Sequence, residues 1–463
     1  MAKYQKYAEY KDSGVEWLGK VPEHWEVKKI KYLGSILNGY AFPSDSFTDE
    51  GIKVLKISNI QTMYLDWSDL SFVSEEQANK LVQFLVKKGD LVFALTRPII
   101  STGIKATLMD LEEKILLNQR NAILRPNNLC VQKWLYYMIL NQNFVQEFNN
   151  QIDKTGQQPN ISTVSIGNLA AFVAPIEEQL KIVDFLDHET AKIDTLITKQ
   201  EKLIELLKEK RQAVISQAVT KGLNPNVLMK DSGVEWLGKV PEHWDVKKIK
   251  YLGSILNGYA FSSDSFTDQG VKVLKISNIQ TMYLDWSDLS FVSVEQANKL
   301  EQFLVKKGDL VFALTRPIIS TGIKATLMDL EEKILLNQRN AILRPNNLCV
   351  QKWLYYMVLN QNFVQEFNNQ IDKTGQQPNI STVSIGNLAV SVAPIEEQVK
   401  IVEFIAEKVE RIDVLIKKAE SAIQLMQERR TALISAAVTG KIDVRNWQNS
   451  NKNNNQDNME LSA

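Results

Sequence analysis

The sequence has few of the residues from which catalytic and metal sites are usually built. Its 463 residues include only 2 cysteines and 3 histidines. His24, His188 and His243 are too few and too scattered for a metal cluster or a catalytic triad. No GxxxxGK[ST] phosphate-binding loop occurs either. The sequence therefore predicts no metal site and no catalytic residue.

Long apolar segments are also missing. No run of about 18 uncharged apolar residues is present, and the amino terminus has no apolar segment of the kind found in secretory signals. We therefore expect a cytoplasmic protein without a membrane span. Cys130 and Cys349 occupy equivalent places in two repeats, so we expect small buried apolar residues rather than a disulfide.

The chain has no net charge, because 54 basic residues balance 54 acidic ones. A protein that binds nucleic acid alone usually has a basic excess that neutralises phosphates. The balance therefore disfavours a lone DNA binder. It does not disfavour a subunit that reads bases while a basic partner holds the backbone, because affinity and sequence readout are separable.

A long internal repeat determines the domain organisation. The segment KDSGVEWLGKVPEHW begins at Lys11 and again at Lys230, 219 residues later. From there to Val183 and Val402 the copies differ at only about ten positions, such as Pro43/Ser262 and Phe172/Ser391. Two long repeats predict two domains of one fold, whereas solenoids use many short units.

Each repeat divides into two parts by its pattern. The first part contains short apolar runs that predict strands, such as IKVLKISNI (52–60), KKGDLVFALT (87–96) and NAILRP (121–126), and one segment with helical spacing, 131–148, which predicts a single helix. The second part opens with Pro-Ile-Glu-Glu-Gln, a helix start. About 44 residues without Gly or Pro follow, which span roughly 65 Å as a helix.

The two long helices carry apolar residues at alternating spacings of three and four. Such a seam is typical of a coiled coil, and the chain order of domain, helix, domain, helix favours an antiparallel pair that relates the domains by a two-fold axis. The alternative is two separate helices, each packed on its own domain. The predicted seam positions are Ile182, Leu186, Ile193, Leu196, Leu203, Leu207 and Val214, and Ile401, Ile405, Ile412, Leu415, Ile423, Met426 and Leu433.

The predicted fold class is therefore α+β, with two repeated domains joined by two long helices that form an antiparallel coiled coil. We place the first domain at 1–175, the first helix at 176–221, the second domain at 222–394 and the second helix at 395–440. The asparagine-rich segment at 441–463 is predicted to be a disordered tail.

Several segments in a fixed order resemble one protein family. They include NGYAFPSDSF (38–47), VLKISNIQ (54–61), TGQQPNIS (155–162), APIEEQLKIVDFLD (174–187) and LLKEKRQAVISQAVT (206–220). Together they resemble the specificity subunits of type I restriction-modification systems, and the resemblance covers nearly the whole chain, except the tail. This chain departs from the common family pattern because its two domains are nearly identical.

The resemblance implies a function for each part. Each domain would read one half of a split DNA target, and the helices would set the gap between the halves. Methyltransferase subunits would bind the helices and bring S-adenosylmethionine, while separate motor-nuclease subunits would bring ATP hydrolysis, magnesium and cleavage. Because the helix is duplicated, we expect two methyltransferase subunits for each chain. The chain would itself be a non-catalytic subunit. The absence of any Pro-Pro pair agrees, because it excludes an Asn-Pro-Pro-Tyr adenine pocket.

Three polar loops in each domain have side chains suited to base edges and phosphates. Gln and Asn can pair with adenine and Arg with guanine in the major groove. Solvated turns remain the alternative for each residue taken singly. The candidates are Arg97, Ser101, Thr102 and Lys105; Asn118, Gln119 and Arg120; and Lys154, Gln157, Gln158 and Asn160. Their copies are Arg316, Ser320, Thr321, Lys324, Asn337, Gln338, Arg339, Lys373, Gln376, Gln377 and Asn379.

Other functions remain as alternatives. One is a complete enzyme whose site escapes motif analysis, although the carboxylate cluster at 110–114 lacks the further aspartate that a nuclease needs. Another is a DNA-binding or coiled-coil scaffold without restriction partners. Tyr40 and Phe42 could stack on DNA, but packing in the core is the expected role. If both domains read alike and a two-fold axis relates them, the target is an interrupted palindrome.

Overall fold

The computed structural model describes residues 4–448. They form two compact units, one made of residues up to 200 together with those from 421 onward, and the other of 201–420. Each unit holds one copy of the repeated domain and one portion of each long helix.

The first domain is built from short strands with a few short helices. Its strands are β1 (Tyr10–Asp12), β2 (Lys20–Pro22), β3 (Glu26–Lys29), β4 (Gly34–Asn38), β5 (Ile52–Leu55), β6 (Phe72–Val73), β7 (Leu85–Val86), β8 (Leu91–Ala94), β9 (Ile99–Ile100), β10 (Gly103–Ile104), β11 (Ala106–Leu108), β12 (Ile115–Leu117), β13 (Asn121–Pro126) and β14 (Ala170–Val173). Its α-helices are α1 (Glu75–Lys80), α2 (Gln132–Ile139), α3 (Gln142–Asn150) and α4 (Thr163–Asn168), and 3₁₀ turns lie at Ile30–Tyr32, Ser44–Ser46 and Val82–Phe84.

Two four-stranded sheets form the centre of this domain. One has the order β11-β8-β13-β4 with antiparallel neighbours, and the other has the order β6-β5-β12-β7, in which β5 and β12 run parallel. Alternate residues of β8 face opposite sides, as expected of a strand. Val92 packs in a core with residues of the second sheet, and Phe93 packs in a larger core with α2 and α3. Strand β8 is therefore buried on both faces, which explains its continuous apolar run.

The single helix predicted over 131–148 is wrong. The structure has two helices, α2 and α3, which are separated at Leu140 and Asn141. The Asn141 side chain accepts hydrogen bonds from the main-chain N–H groups of Asn143 and Phe144 and so caps a new helix. Apolar spacing alone does not reveal a cap in the middle of a periodic segment.

After α5 (Ile176–Lys221), the second domain repeats this architecture. Its strands are β15 (Met229–Asp231), β16 (Lys239–Pro241), β17 (Asp245–Lys248), β18 (Gly253–Asn257), β19 (Phe266–Thr267), β20 (Val271–Leu274), β21 (Phe291–Val292), β22 (Leu304–Val305), β23 (Leu310–Ala313), β24 (Ile318–Ile319), β25 (Gly322–Ile323), β26 (Ala325–Leu327), β27 (Ile334–Leu336), β28 (Asn340–Pro345) and β29 (Ala389–Val392). Its helices are α6 (Val294–Lys299), α7 (Gln351–Val358), α8 (Gln361–Asn369) and α9 (Thr382–Asn387), with 3₁₀ turns at Ile249–Tyr251, Ser263–Ser265 and Glu301–Phe303; α10 (Ile395–Val438) follows.

The long helices α5 and α10 pair in antiparallel fashion, as predicted. In the first unit the early part of α5 meets the late part of α10, where Arg430 Nε lies 2.9 Å from Asp194 Oδ1. In the second unit the late part of α5 meets the early part of α10, where Arg211 Nη1 lies 2.8 Å from Asp413 Oδ1. Asp194 and Asp413 are equivalent in the repeat, as are Arg211 and Arg430. The same ion pair therefore occurs in each unit with the roles of the helices exchanged.

The seam predicted for the helix pair is only partly correct. Ile193 and Leu207 are buried, and Leu207 packs with Ile412 and Ile416. Leu196 and Leu415, two predicted seam positions, are each about half exposed, at 49% and 48%, and Leu203 is 42% exposed. The seam shifts by one residue to Ile197 and Ile416, because the ends of both helices pack on the globular domains and fix the rotation of each helix.

The end of each long helix completes the core of a domain. Ile215, Ala218 and Val219 of α5 are buried in the second domain, and Ile434 and Val438 of α10 in the first. Gly440 follows α10 with a φ of +70°, and a Cβ atom there would lie 2.4 Å from the Pro22 ring. Only glycine fits this close approach in that conformation.

A buried glutamate attaches the start of α5 to the first domain. Trp25 Nε1 donates to Glu178 Oε1 at 3.0 Å, and His24 Nε2 lies 2.8 Å from Glu178 Oε2. In the second unit, His243 and Trp244 make the same contacts with Glu397. Both histidines therefore have a structural role.

The polar tail begins later than predicted. Ile442 and Val444 are buried in the first domain, and Asp443 N–H donates to the carbonyl of Gln5. The Trp447 ring packs edge-on against Phe185. These apolar side chains anchor a segment whose composition is otherwise polar. The disorder predicted beyond Gln448 concerns residues outside the described ones.

Both cysteines are buried and free, as predicted. Cys130 packs in the first large core and Cys349 in the second. Within residues 4–448, no helix is both long enough and apolar enough to span a membrane.

Candidate nucleic-acid interface

The three polar loops predicted from the sequence meet at one short segment, 95–98, immediately after β8. Leu95 N–H donates to the carbonyl of Arg120, and the Leu95 carbonyl accepts from Ile161 N–H. Arg97 N–H donates to the Pro159 carbonyl, and Lys105 N–H to that of Pro98. The loops are far apart in sequence, yet these main-chain hydrogen bonds bring them together.

Arg97 lies at the centre of this surface in a strained backbone conformation. Its φ is +47°, in the left-handed region that costs a non-glycine residue about 1–2 kcal/mol. Arg97 is exposed, whereas its neighbours Thr96 and Pro98 are buried. The strain directs a guanidinium away from two anchored residues, and strained residues of this kind cluster at functional sites.

The loop over 153–160 is held by its own hydrogen bonds. Asp153 and Asn160 exchange two main-chain hydrogen bonds, at 2.8 and 2.9 Å. Asp153 Oδ1 also accepts from the Thr155 hydroxyl and N–H, and these bonds lower the pKa of Asp153. Lys154 and Gln157 are exposed on this rigid loop and Gln158 is half-exposed. The Asn160 amide donates to the Gln158 carbonyl, so it supports the loop.

The hairpin of β9 and β10 presents Ser101 and Thr102 at its tip, where both are exposed. Lys105, just beyond it, lies only 9% exposed, and its ammonium donates to the carbonyl of Ile57. Burial, followed by the nearby charge of Arg97, lowers the pKa of Lys105. The DNA contact predicted for Lys105 would require this side chain to leave its buried position.

The third loop presents Gln119 and Arg120, which are both exposed. Asn118 is half-buried, and its side-chain oxygen accepts from the Arg120 N–H. Asn118 therefore shapes the loop from within. Tyr40 and Phe42 pack with each other and with Phe84 and Phe47 in a small core beside the second sheet, in agreement with the core role expected for them.

Several lysines around the second sheet are paired with carboxylates, whereas the exposed cations of this surface are not. Lys53, Lys56 and Lys88 form ion pairs with Glu113, Asp69 and Glu112. Among the described residues, Arg97, Arg120 and Lys154 have no such carboxylate partner. Cations left free on a shared surface can bind an external anion such as a DNA phosphate.

The same ion pairs account for the carboxylate cluster at 110–114. Glu113 pairs with Lys53 of β5, Glu112 pairs with Lys88 in the turn after β7, and Asp110 is exposed. The cluster therefore has a structural use, and it does not converge as a nuclease site would.

The second domain reproduces the surface. Arg316 has a φ of +47°, its N–H donates to the Pro378 carbonyl, and Leu314 joins Arg339 and Ile380. The exposed residues are Arg316, Ser320, Thr321, Gln338, Arg339, Lys373, Gln376 and Asn379, with Asn337 and Gln377 partly exposed and Lys324 buried. Each domain thus carries one copy of the same candidate interface.

Comparisons with known proteins agree with this architecture. Residues 22–206 and 241–424 match the family described as type I restriction modification DNA specificity domain. The MjaVIII specificity subunit of Methanocaldococcus jannaschii is 28% identical over 92% of this chain and 95% of its own length. The EcoKI specificity subunit of Escherichia coli K12 is 21% identical over 94% and 92%.

Two solved structures share the fold at 14% sequence identity. One, from a study of complex assembly in the type I R-M system, has a TM-score of 0.68 and covers 90% of this chain and 98% of that chain. The other is the HsdS subunit of Thermoanaerobacter tengcongensis, with a TM-score of 0.52 over 91% and 98%. Since the family match covers most of the chain and occurs once in each repeat, this protein belongs to the type I restriction-modification DNA specificity family.

Proposed function

We propose that this chain is the DNA-recognition subunit of a type I restriction-modification complex and that it reads a bipartite target with two equivalent surfaces. The observation that carries the proposal is the junction at 95–98, where three polar loops with unpaired cations meet, repeated in the second domain. Phosphate contacts by Arg and Lys would position the duplex, and the exposed Gln and Arg side chains would read base edges.

The proposed complex contains two methyltransferase subunits for each chain. The first unit exposes Leu180, Leu196 and Leu425 on its helices, and the second exposes the equivalent set Val399, Leu415 and Leu206, each 39% to 65% exposed. Exposed apolar side chains on the helices would contact a partner protein. Because each unit presents the same set, the complex should have two equivalent docking sites.

The chemistry is assigned to the partners. Methyltransferase subunits would supply S-adenosylmethionine, and motor-nuclease subunits would supply the site for ATP and magnesium. Since the chain has no net charge, we expect weak, salt-sensitive DNA binding by the chain alone and tight binding once the methyltransferase is added. Action on chromosomal DNA also implies the cytoplasmic location predicted from the sequence.

The decisive experiment maps methylated adenines across the genome of cells that carry this chain and its methyltransferase. We expect one bipartite motif, and no methylation when this chain is deleted. The loop variants Gln157→Ala with Gln158→Ala, and Gln376→Ala with Gln377→Ala, should each relax one half-site, by about 1–3 kcal/mol per lost bidentate contact. Lys154→Ala should instead weaken binding to all sequences alike. A genome without a motif would favour a scaffold that does not read sequence.

A further inference from the structure

The hairpin of β9 and β10, which carries Ser101 and Thr102, is called the reading hairpin below. Beside it lies a turn that the sequence did not identify as part of the interface. Residues 61–64 form the tip of a narrow loop, closed by the bridge between Ile60 and Leu65 and by a hydrogen bond from Gln61 N–H to the Tyr64 carbonyl. Met63 at this tip has a φ of +76°. Its copy, Met282, has a φ of +77°.

Within residues 4–448, the non-glycine residues with positive φ are Met63, Arg97 and their two copies. In each domain the arginine is the proposed centre of the interface, and the methionine lies in this turn. The left-handed conformation is unfavourable for a branched or long side chain and persists only where surrounding contacts impose it.

Three contacts fasten the turn to the reading hairpin. The Thr102 hydroxyl at the hairpin tip donates to the Thr62 hydroxyl at 3.0 Å. Met63 N–H donates to the Ala106 carbonyl at 3.1 Å. The buried Lys105 ammonium, which extends from the end of the hairpin, donates to the carbonyl of Ile57 just before the turn. The turn therefore continues the surface formed by the three loops.

The turn is also held from the side of the long helices. Arg430 of α10, which pairs with Asp194 of α5, lies 3.7 Å from the Met63 sulfur through its Nη1 atom. The turn is thus fixed both by the hairpin and by the helix pair. Such a rigid support makes it suited to present one side chain in a defined place.

The side chain that the turn presents is Tyr64. It is 59% exposed, and Tyr283 in the second domain is 60% exposed, although large aromatic residues usually bury most of their surface. Tyr283 lines an open cavity of about 590 Å³ together with Trp286 and Tyr355. A tyrosine combines an apolar ring with a hydroxyl, and tyrosine hydroxyls are among the groups that bind DNA phosphates.

We propose that the turns 61–64 and 280–283 are further DNA-contacting segments, in which Tyr64 and Tyr283 donate hydrogen bonds to phosphates beside each half-site. This inference rests on the proposed function, because it takes duplex DNA as the ligand of the adjoining loops. A phosphate contact carries no base information, so the two tyrosines position the duplex without selecting its sequence.

The test uses the full chain assembled with its methyltransferase. Binding is measured to two labelled duplexes of equal length, one that contains the motif found by the methylation map and one with a scrambled sequence. The double variant Tyr64→Phe with Tyr283→Phe removes only the hydroxyls. We expect each lost hydrogen bond to lower affinity about fivefold for both duplexes, and to leave the ratio between the two affinities unchanged. The alanine double variant should lose at least as much.

The chain offers a matched control. Tyr32 and Tyr251 are 58% and 59% exposed. The Tyr32 carbonyl accepts a hydrogen bond from the Asn127 side chain. Asn127 follows the end of β13, whereas the candidate loop 118–120 precedes its start. Tyr32→Phe with Tyr251→Phe should leave both affinities unchanged. Wild-type affinity in the Tyr64/Tyr283 variants, or a loss confined to the motif duplex, would overturn the proposal. If wild type itself shows no preference for the motif, the proposed function fails instead.

Discussion

Arg97 and Arg316 each combine a strained backbone conformation with a side chain that is proposed to contact DNA. Arg97→Gly should relieve the strain of its positive φ, whereas Arg97→Ala should keep it, and both changes remove the guanidinium. We expect the glycine variant to exceed the alanine variant by about 1 kcal/mol in the free energy of unfolding, measured by urea denaturation. Both should bind DNA more weakly than wild type.

Two results would contradict this interpretation of Arg97. Equal stability of the glycine and alanine variants would show that the left-handed conformation is not strained. Full DNA affinity in the alanine variant, measured with the methyltransferase present, would show that the guanidinium does not contact DNA.

The cysteines give a prediction about pH. Burial raises the pKa of Cys130 and of Cys349 to about 12, from an ordinary value of 9.0. At pH 8 the folded chain should therefore resist iodoacetamide, because the reactive thiolate is absent, and should react in urea. Above pH 9 the unfolded chain ionises its thiols while the folded chain does not, so the free energy of unfolding should fall as pH rises. Rapid alkylation of the native chain at pH 8 would show that these thiols are accessible.

At the scale of secondary structure, the apolar residues of α5 and α10 form two sets, one that packs between the helices and one that stays exposed. Leu207, Ile412 and Ile416 hold the helices together, whereas Leu196 and Leu425 remain half-exposed or more in the first unit. Leu196→Glu with Leu425→Glu should therefore leave the fold intact and abolish one of two methyltransferase docking sites. Native mass spectrometry should show one methyltransferase where wild type has two.

The equivalent pair in the second unit is Leu415→Glu with Leu206→Glu, and it should remove the other methyltransferase. Thr198→Glu is a suitable control for the Leu196→Glu change, since it adds one negative charge at an exposed position roughly 200° around the helix from Leu196. A control variant that also loses a subunit, or leucine variants that keep both, would refute this docking surface.

The sequence predicted the long elements better than the local ones. The antiparallel helix pair follows from the length of two segments without Gly or Pro, because so long an apolar seam needs a partner. The sequence did not show which residues of each helix face the other helix. Packing at the helix ends sets the rotation of each helix and leaves Leu196 and Leu415 exposed. The cap at Asn141 was missed for a related reason, because a single polar side chain breaks a pattern that otherwise continues.

For the candidate interface, composition identified the loops but not their geometry. Amide and guanidinium side chains in turns pointed to base readout, and the structure joins those turns at 95–98. The burial of Lys105 could not be predicted, because it depends on a carbonyl, that of Ile57, contributed by a distant segment. The turn at 61–64 was missed because its signal is a backbone angle, and methionine gives no hint of positive φ.

At the scale of the whole molecule, the two reading surfaces are chemically the same. Every residue proposed to read DNA in the first domain has an identical residue in the second, as Arg97 has Arg316 and Gln158 has Gln377. The ion pair of Asp194 with Arg430 also recurs as Asp413 with Arg211, with the helices exchanged. Both half-sites should therefore contain the same bases.

The target should then be an interrupted palindrome, methylated at the equivalent adenine on each strand. The repeat predicts domains related by a two-fold axis, and a two-fold protein reads its second half-site as the reverse complement of the first. Inserting one heptad into both α5 and α10 would lengthen the helix pair by about 10 Å, or roughly three base pairs of DNA. A methylation map of that variant should show the same half-sites with a longer gap. Two unrelated half-sites would refute the shared readout, and a direct repeat would refute the two-fold arrangement.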